Sequence, residues 1–408
     1  MKNLISMFDS VLPLFNFEDK KIGRRVQNIV SKMDLIKKSS LSMFIFSSAW
    51  TLNFLTDFIL RNKIEKYIGD LFKADDLKGP IFDYYIDDIN HEYTLWGENI
   101  QRFLKPINKT IFNKVFIPHD ENISYYWIVM NYLKSNQNVF YSGRPSSGKS
   151  LLLNTLLNNL DQAKFKTLRY LVNYNTNSRK IEENLIKNLS YIKRDLIGDS
   201  HDRKVVYFVD DLHLPKVDNL EVQTTHEYLR QIITTNSIYD PNNSVIKNTN
   251  KLNILACGNF SSYKSNENTS RFIHSFCYVN QNGFSDENNL FIFKITLENH
   301  LKTFIPNTAS ITTNQYIQTS LALNEFLNKT LKPSPMKLHY QFTIRDTIRV
   351  LQGILLYSFK FDNSEYPQYL IKIWFNENLR VYEDRLIHDE DKKLFRDNLL
   401  KIYNSTLK

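Results

Sequence analysis

Eight consecutive residues, Gly143-Arg144-Pro145-Ser146-Ser147-Gly148-Lys149-Ser150, fit the spacing G-x-x-x-x-G-K-S/T, and few short patterns restrict a fold so tightly. Glycines let the backbone curl around phosphate oxygens with its N–H groups turned inward, and a helix must start there so that its N-terminus adds positive potential. The chain supplies both neighbours, a short strand candidate at Val139-Phe140-Tyr141 and an apolar helical run from Leu151 to Leu160. Residues Gly143 to Leu151 are therefore the candidate nucleotide-holding set for ATP or ADP. Lys149 would neutralise the β and γ phosphates, and Ser150 would ligate Mg²⁺.

About 60 residues further on, Val205-Val206-Tyr207-Phe208-Val209-Asp210-Asp211 is a buried-strand pattern that ends in two carboxylates. Asp210 is the candidate holder of Mg²⁺ through water. Asp211 stands where such ATPases usually place a glutamate to polarise the attacking water, and its side chain is one methylene shorter. A retreat of roughly 1 Å can cost about a hundredfold in rate, so binding is expected to persist and hydrolysis to be weakened.

Between and after these motifs, strand and helix signals alternate: Thr167 to Asn173 (strand), Ser178 to Asp195 (helix), Glu221 to Thr234 (helix), Asn253 to Cys257 (strand) and Ser275 to Val279 (strand). That alternation predicts a parallel sheet flanked by helices. Helical periodicity dominates residues 1 to about 75, through Ile22, Val26, Ile29 and Met33 and again through Phe46, Trp50 and Phe54, and it returns after about residue 295. There Ile344, Ile348, Leu351 and Leu355 share one helix face, and Ile371, Trp374, Leu379 and Tyr382 another. Lys78-Gly79-Pro80 to Pro118 reads as a connector with short strands. The apolar stretch Leu41 to Leu60 carries Asn53 and Asp57, which makes it a buried helix rather than a membrane span.

Composition adds limits. The 408 residues, 42% hydrophobic and 13% aromatic, suffice for two or three compact units of a soluble α/β class. The net charge of +9 is scattered rather than clustered, so it reads as a solvated surface, with no nucleic-acid groove and no membrane face. Two cysteines, Cys257 and Cys277, with no metal spacing point to reduced thiols and a cytoplasmic setting. The N-terminus, broken by Asp9 and Pro13, does not read as a secretory signal.

The order of these pieces resembles the AAA+ family, which implies further roles. Gly258-Asn259 follows a strand where AAA+ proteins carry a polar sensor for the γ-phosphate: aligned on Gly258 that hydrogen bond is lost, and aligned on Asn259 it survives. Arg345 would be a lid arginine acting in cis, and Arg271 a finger reaching a neighbouring module's site; the plainer reading of each is a salt bridge. The intervening sequence is more specific. Phe208-Val209-Asp210-Asp211-Leu212-His213-Leu214-Pro215 is similar to the dynein heavy-chain run F, I or V, then D-D-L-N-M-P, with His213 and Leu214 replacing Asn and Met. Glu227-Tyr228-Leu229-Arg230-Gln231 resembles E-L-L-R-Q, and His339 to Asp346 with Arg349-Val350-Leu351-Gln352-Gly353 resembles H-Y-x-F-N-L-R-D-x-x-R-V-x-Q-G.

The match is to the third of six modules in a dynein ring of the axonemal type. It implies an AAA+ P-loop NTPase fold, with a parallel five-stranded sheet flanked by helices and helical lid subdomains at both ends. The implied division is 1–75, lid of the preceding module; 76–115, connector; 116–295, large α/β domain; and 296–408, lid. It further implies a regulatory nucleotide site in a minus-end-directed motor of the cytoskeleton and the ciliary or flagellar axoneme. The implied partners are other AAA+ modules of the ring and, indirectly, intermediate and light chains and microtubules. No linker, main catalytic module, stalk or microtubule-binding domain fits the chain. Arg144 and Ser146 depart from the family loop, and His274 replaces a usual second arginine. The alternative reading is a hydrolysing AAA+ ATPase of a remodelling class.

Overall fold

A computed structural model describes residues 2–11, 29–55, 58–72, 79–87, 93–99, 116–219, 222–240, 244–259, 267–281, 286–301, 309–357 and 366–406. Ile22, Val26, Lys78 and Glu221, on which some expected elements partly rest, lie outside the described residues. The chain divides into two compact units, Met1–Asn108 with Pro118–Gly283, and Lys109–Ile117 with Phe284–Lys408.

The first unit opens with helices α1 (Lys2–Val11), α2 (Ile29–Leu55) and α3 (Phe58–Phe72), followed by a two-stranded antiparallel ribbon, β1 (Tyr84–Ile86) and β2 (Tyr93–Leu95). The stretch Leu41 to Leu60 is thus split between α2 and α3. It buries Phe46, Trp50 and Phe54 while Leu41, Phe44 and Leu52 are exposed, and among the described residues no helix is long and apolar enough to cross a membrane. Helix α4 (Asp120–Lys134) follows, and its Tyr125 and Trp127 complete an aromatic seam with α2 and the ribbon. Trp50 stacks edge-on to Phe82 at 5.4 Å and Tyr125 at 5.9 Å, and Trp96 lies 5.7 Å from Trp127 between ring centroids. Aromatic pairs in this geometry add about 0.5–1.5 kcal/mol each beyond the area they bury.

The elements that follow are β3 (Val139–Gly143), α5 (Lys149–Asn159), β4 (Phe165–Leu171), α6 (Ser178–Asn188), β5 (Ser190–Lys193), β6 (Leu196–Gly198) and β7 (Lys204–Asp210). They continue with α7 (Thr224–Thr235), β8 (Ser237–Asp240), β9 (Val245–Thr249), β10 (Leu252–Gly258), α8 (Glu267–Ile273) and β11 (Cys277–Gln281). Five strands form the expected parallel sheet in the order β11-β3-β10-β7-β4. Its central strands are almost wholly buried because helices cover both faces, which is why they read as unbroken apolar runs rather than alternating ones. Phe140, Tyr207, Val209, Ile254 and Ala256 pack under α6, α7 and α8, while Tyr141 turns to the opposite face and meets Tyr125 of α4.

One expectation is corrected. The helix expected to reach Asp195 stops at Asn188, and the chain turns at Leu189 into β5, the first strand of a second sheet ordered β5-β6-β9-β8. Tyr191-Ile192 favours a strand over a further helical turn, and β6 pairs with β9, some 50 residues away, so no local periodicity announces the sheet.

The second unit holds five helices among its described residues: α9 (Asp286–Leu301), α10 (Ala309–Thr330), α11 (Ile344–Leu356), α12 (Tyr366–Tyr382) and α13 (Asp389–Thr406). Its core gathers Ile317, Leu327, Leu351, Trp374, Tyr382 and Phe395, and the Trp374 indole N–H donates to Ser320 Oγ at 2.8 Å. Helix α11 begins in a capping box, with the Asp346 carboxylate accepting the Thr343 backbone N–H at 2.9 Å.

Candidate nucleotide-binding site

The loop after β3 has the shape of an anion cradle. At Gly143 a Cβ would stand 2.5 Å from the Gln281 carbonyl oxygen, so the close approach of β11 demands glycine there. Ser146 and Gly148 both adopt left-handed backbone, at φ 66° and 78°. Such reversals bring successive N–H groups to one side. Gly148 is the N-cap of α5 and offers no side chain, so the helix's first N–H groups stay open for a ligand. The Ser147 hydroxyl is buried without a hydrogen-bond partner. Lys149 lies along the loop, its ammonium donating to the Gly143 carbonyl at 2.7 Å and the Arg144 carbonyl at 2.6 Å. A helix start without a side-chain cap, a partnerless buried hydroxyl and a cation on one loop fit a phosphate chain. Arg144 and Pro145 are exposed on the loop, and Leu151 continues into α5.

Ser150, in the first turn of α5, donates its hydroxyl to Asp210 Oδ1 at 3.1 Å, joining the two ends of a 60-residue separation. One hydroxyl and one carboxylate are the protein donors that Mg²⁺ takes when phosphates and waters complete its octahedron. Burial raises the Asp210 carboxyl above its usual range, the Ser150 hydrogen bond pulls it down, and the neighbouring Asp211 charge pushes it up again. A positive group arriving beside Asp210 would relieve that desolvation. The Asp211 N–H donates to Asp210 Oδ1 at 3.0 Å, and Asp211 itself is left-handed at φ 56°.

Gly258 closes β10 opposite Ser142, and Asn259 follows it, buried, with its backbone N–H donated to His213 Nδ1 at 3.4 Å. His213 entered the sequence reading only as a departure from a family motif. In the fold it stands among the site charges: burial lowers its pKa, Asp211 and Asp210 oppose that, and Lys149 adds to it. His226 was not singled out at all. Its Nε2 hydrogen-bonds the Leu212 carbonyl at 2.8 Å, and its ring stacks on Phe272 at 4.5 Å and 9°. Burial holds it down to about 4. This stack ties the residue after Asp211 to α8, whose last turn carries Arg271. The Cys257 thiol, buried beside Asp210, is pushed well above the usual thiol range, and neither cysteine is in a disulfide.

Arg271 and Arg345 are both exposed, and no carboxylate among the described side chains pairs with either. The structure groups Gly143 to Leu151, Asp210, Asp211, Asn259 and Arg271 in the first unit, whereas Arg345 belongs to the second, in the first turn of α11. Its neighbour Asp346 takes the ion pairs there, from Arg349 at 3.2 Å and Arg385 at 3.4 Å.

A five-stranded parallel sheet of this order, a phosphate-binding loop joined to a strand-end carboxylate, and a separate helical unit together define an AAA+ P-loop module with its lid. Residues 104–284 match the family described as the P-loop containing dynein motor region, and residues 316–407 match the AAA+ lid domain, so the chain holds an AAA+ module of a dynein heavy-chain motor region.

Among curated proteins, it is 27% identical to dynein heavy chain-like protein 2 of Plasmodium falciparum over 88% of its own length. It is 25% identical to human dynein axonemal heavy chain 10 over 78%, and 27% identical to the ciliary dynein beta chain of Heliocidaris crassispina over 86%. The chain spans only 7% to 8% of the length of these three relatives.

Proposed function

We propose that this chain binds ATP or ADP with Mg²⁺ at Gly143 to Ser150, and that it is the third AAA+ module of a ciliary or flagellar dynein motor. In that reading residues 1–75 are the lid of the preceding module, 76–115 the connector, 116–295 the large domain and 296–408 the lid. The observation that carries nucleotide binding is the Ser150–Asp210 hydrogen bond beside a loop whose buried Ser147 hydroxyl has no hydrogen-bond partner and whose helix start has no side-chain cap. Ser150 and Asp210 would hold the metal ion, which supplies charge neutralisation between the phosphates. Asn259 is the better placed of the two sensor alternatives, since Gly258 has no side chain to offer.

The site is regulatory rather than driving. Asp211 is one methylene short of the usual glutamate, and its left-handed backbone suits Asp better than a longer side chain. Occupancy of such a site would gate a neighbouring module through differential binding to two states of the ring. In this reading Arg271 would serve as the finger for a neighbouring module's nucleotide and Arg345 as the lid arginine acting in cis. Ring modules are the direct partners; intermediate and light chains and microtubules act through the assembled motor, in the axoneme.

Titration with a fluorescent ATP analogue tests the reading. The wild-type chain is expected to bind, Lys149→Ala to lose binding, and steady-state phosphate release to stay below about 1 s⁻¹, beneath the usual enzyme range. Retained affinity in Lys149→Ala would remove the nucleotide site, and faster turnover would return the chain to the hydrolysing class.

A further inference from the structure

Gln281 ends β11 directly opposite Gly143 in the ladder and is wholly buried. Its Oε1 accepts the Tyr141 hydroxyl at 3.0 Å, which fixes the orientation of the amide. Its Nε2 is left buried with no hydrogen-bond partner. An unfilled amide donor of this kind costs about 1–3 kcal/mol, so an empty one beside a ligand loop asks for an acceptor. Sheet order says which part of a ligand can provide it. The metal-holding carboxylate sits on β7 and Asn259 follows β10, both on one side of β3; β11 is on the other side. A triphosphate lying across the loop with its γ end toward β7 and β10 has its nucleoside end on the side of β11. Tyr141, which anchors the amide, faces α4, and α4 packs on both β3 and β11.

We propose that the Gln281 side-chain amide is a binding residue for the nucleoside end of the nucleotide, donating a hydrogen bond to its ribose or base. This rests on the nucleotide-binding reading above. It assigns Gln281 a part in telling a nucleotide from bare polyphosphate, a task the loop cannot perform because it contacts phosphates alone.

Isothermal titration of the whole chain with Mg-ATP and with Mg-tripolyphosphate tests it. Gln281→Met should weaken ATP roughly tenfold, the worth of a hydrogen bond made in a buried site, and leave tripolyphosphate within about twofold. The substitution removes the unfilled donor but also the acceptor of the buried Tyr141 hydroxyl, so the ligand-free melting temperature is recorded alongside to establish that the variant is folded. Tyr141→Phe, which frees the amide without removing it, should weaken ATP by roughly threefold and again spare tripolyphosphate; it also decides the matter should Gln281→Met not fold. Unchanged ATP affinity in the folded variants, or equal weakening of both ligands, would overturn the assignment. Loss of ATP binding in Lys149→Ala together with an unaffected Gln281→Met would sink this inference alone, whereas intact binding in Lys149→Ala would sink the nucleotide site itself.

Discussion

Ser146 carries a Cβ at φ 66°, a left-handed conformation that costs an L-residue roughly 1–2 kcal/mol and glycine almost nothing. The family loop has glycine at this position, and the present chain tolerates the strain. Ser146→Gly is therefore expected to stabilise the first unit by about 1 kcal/mol, less whatever the more flexible unfolded chain takes back, read as a raised urea midpoint with unchanged slope.

A second residue sets a pH dependence. His226 is neutral in the fold, held down to about 4 by burial, while its unfolded counterpart titrates near 6.5. Between those values the unfolded chain binds the extra proton, so stability is complete above about pH 6.5 and falls on acidification toward 4. The loss should reach about 2 kcal/mol at pH 5 relative to pH 7.5, and His226→Gln should flatten that slope in urea titrations at the two pH values. An equal slope in the variant would place the effect elsewhere.

At this scale the loop and Asp210 were legible because each fills or ends a short contiguous motif, the loop Gly143 to Ser150 and the apolar strand from Val205, although 60 residues separate Ser150 from Asp210. His213, His226 and Gln281 were not, since each acquires its role from a partner on another element: Asn259, Phe272 and Tyr141 respectively.

Among elements, the five parallel strands and the lid helices α11 and α12 could be read with shifts of a few residues, because full burial makes the central strands β3, β10 and β7 continuously apolar and one-sided burial gives a helix its stripe. The sheet β5-β6-β9-β8 could not. Its strands are short, with β5 and β9 largely exposed; the pairing of β6 with β9 joins distant segments, and the buried Lys247–Asp240 ion pair, 3.0 Å long, links β9 to β8. Helix packing explains one motif residue outside the site. A Cβ at Gly353 of α11 would collide with the Glu377 carboxylate of α12, which also pairs with Arg380. Gly353 thus sets how closely the two helices approach. Gly353→Val should destabilise the second unit by about 2 kcal/mol or more through overpacking, whatever valine adds in helix preference over glycine, and thermal unfolding of the variant would show it. A melting curve like the wild type's would mean that α12 moves aside freely.

For the molecule as a whole, the phosphate-binding loop lies in the first unit and Arg345, the proposed lid arginine, in the second. Ligand linkage then predicts that Mg-ATP at a hundred times its dissociation constant stabilises the site-bearing fold by about 2.7 kcal/mol. Calorimetry of the wild type and of Lys149→Ala checks this, and an equal upward shift in both would show that ATP acts away from the loop. The chain spans 7% to 8% of the length of the relatives reported above, and under the proposed reading Arg271 would act against another module.

The aromatic seam of the first unit gives the molecule a built-in optical reporter. Three of its four tryptophans lie in it, Trp50 and Trp96 packed against α4 and Trp127 on α4 itself, the helix that also backs Tyr141. The fourth, Trp374, is locked in the other unit by Ser320. Emission excited at the red edge of indole absorption is therefore weighted toward one seam, where neighbouring rings exchange excitation over a few ångströms. Trp374→Phe would leave a chain whose tryptophan emission comes from the first unit alone, without any attached dye.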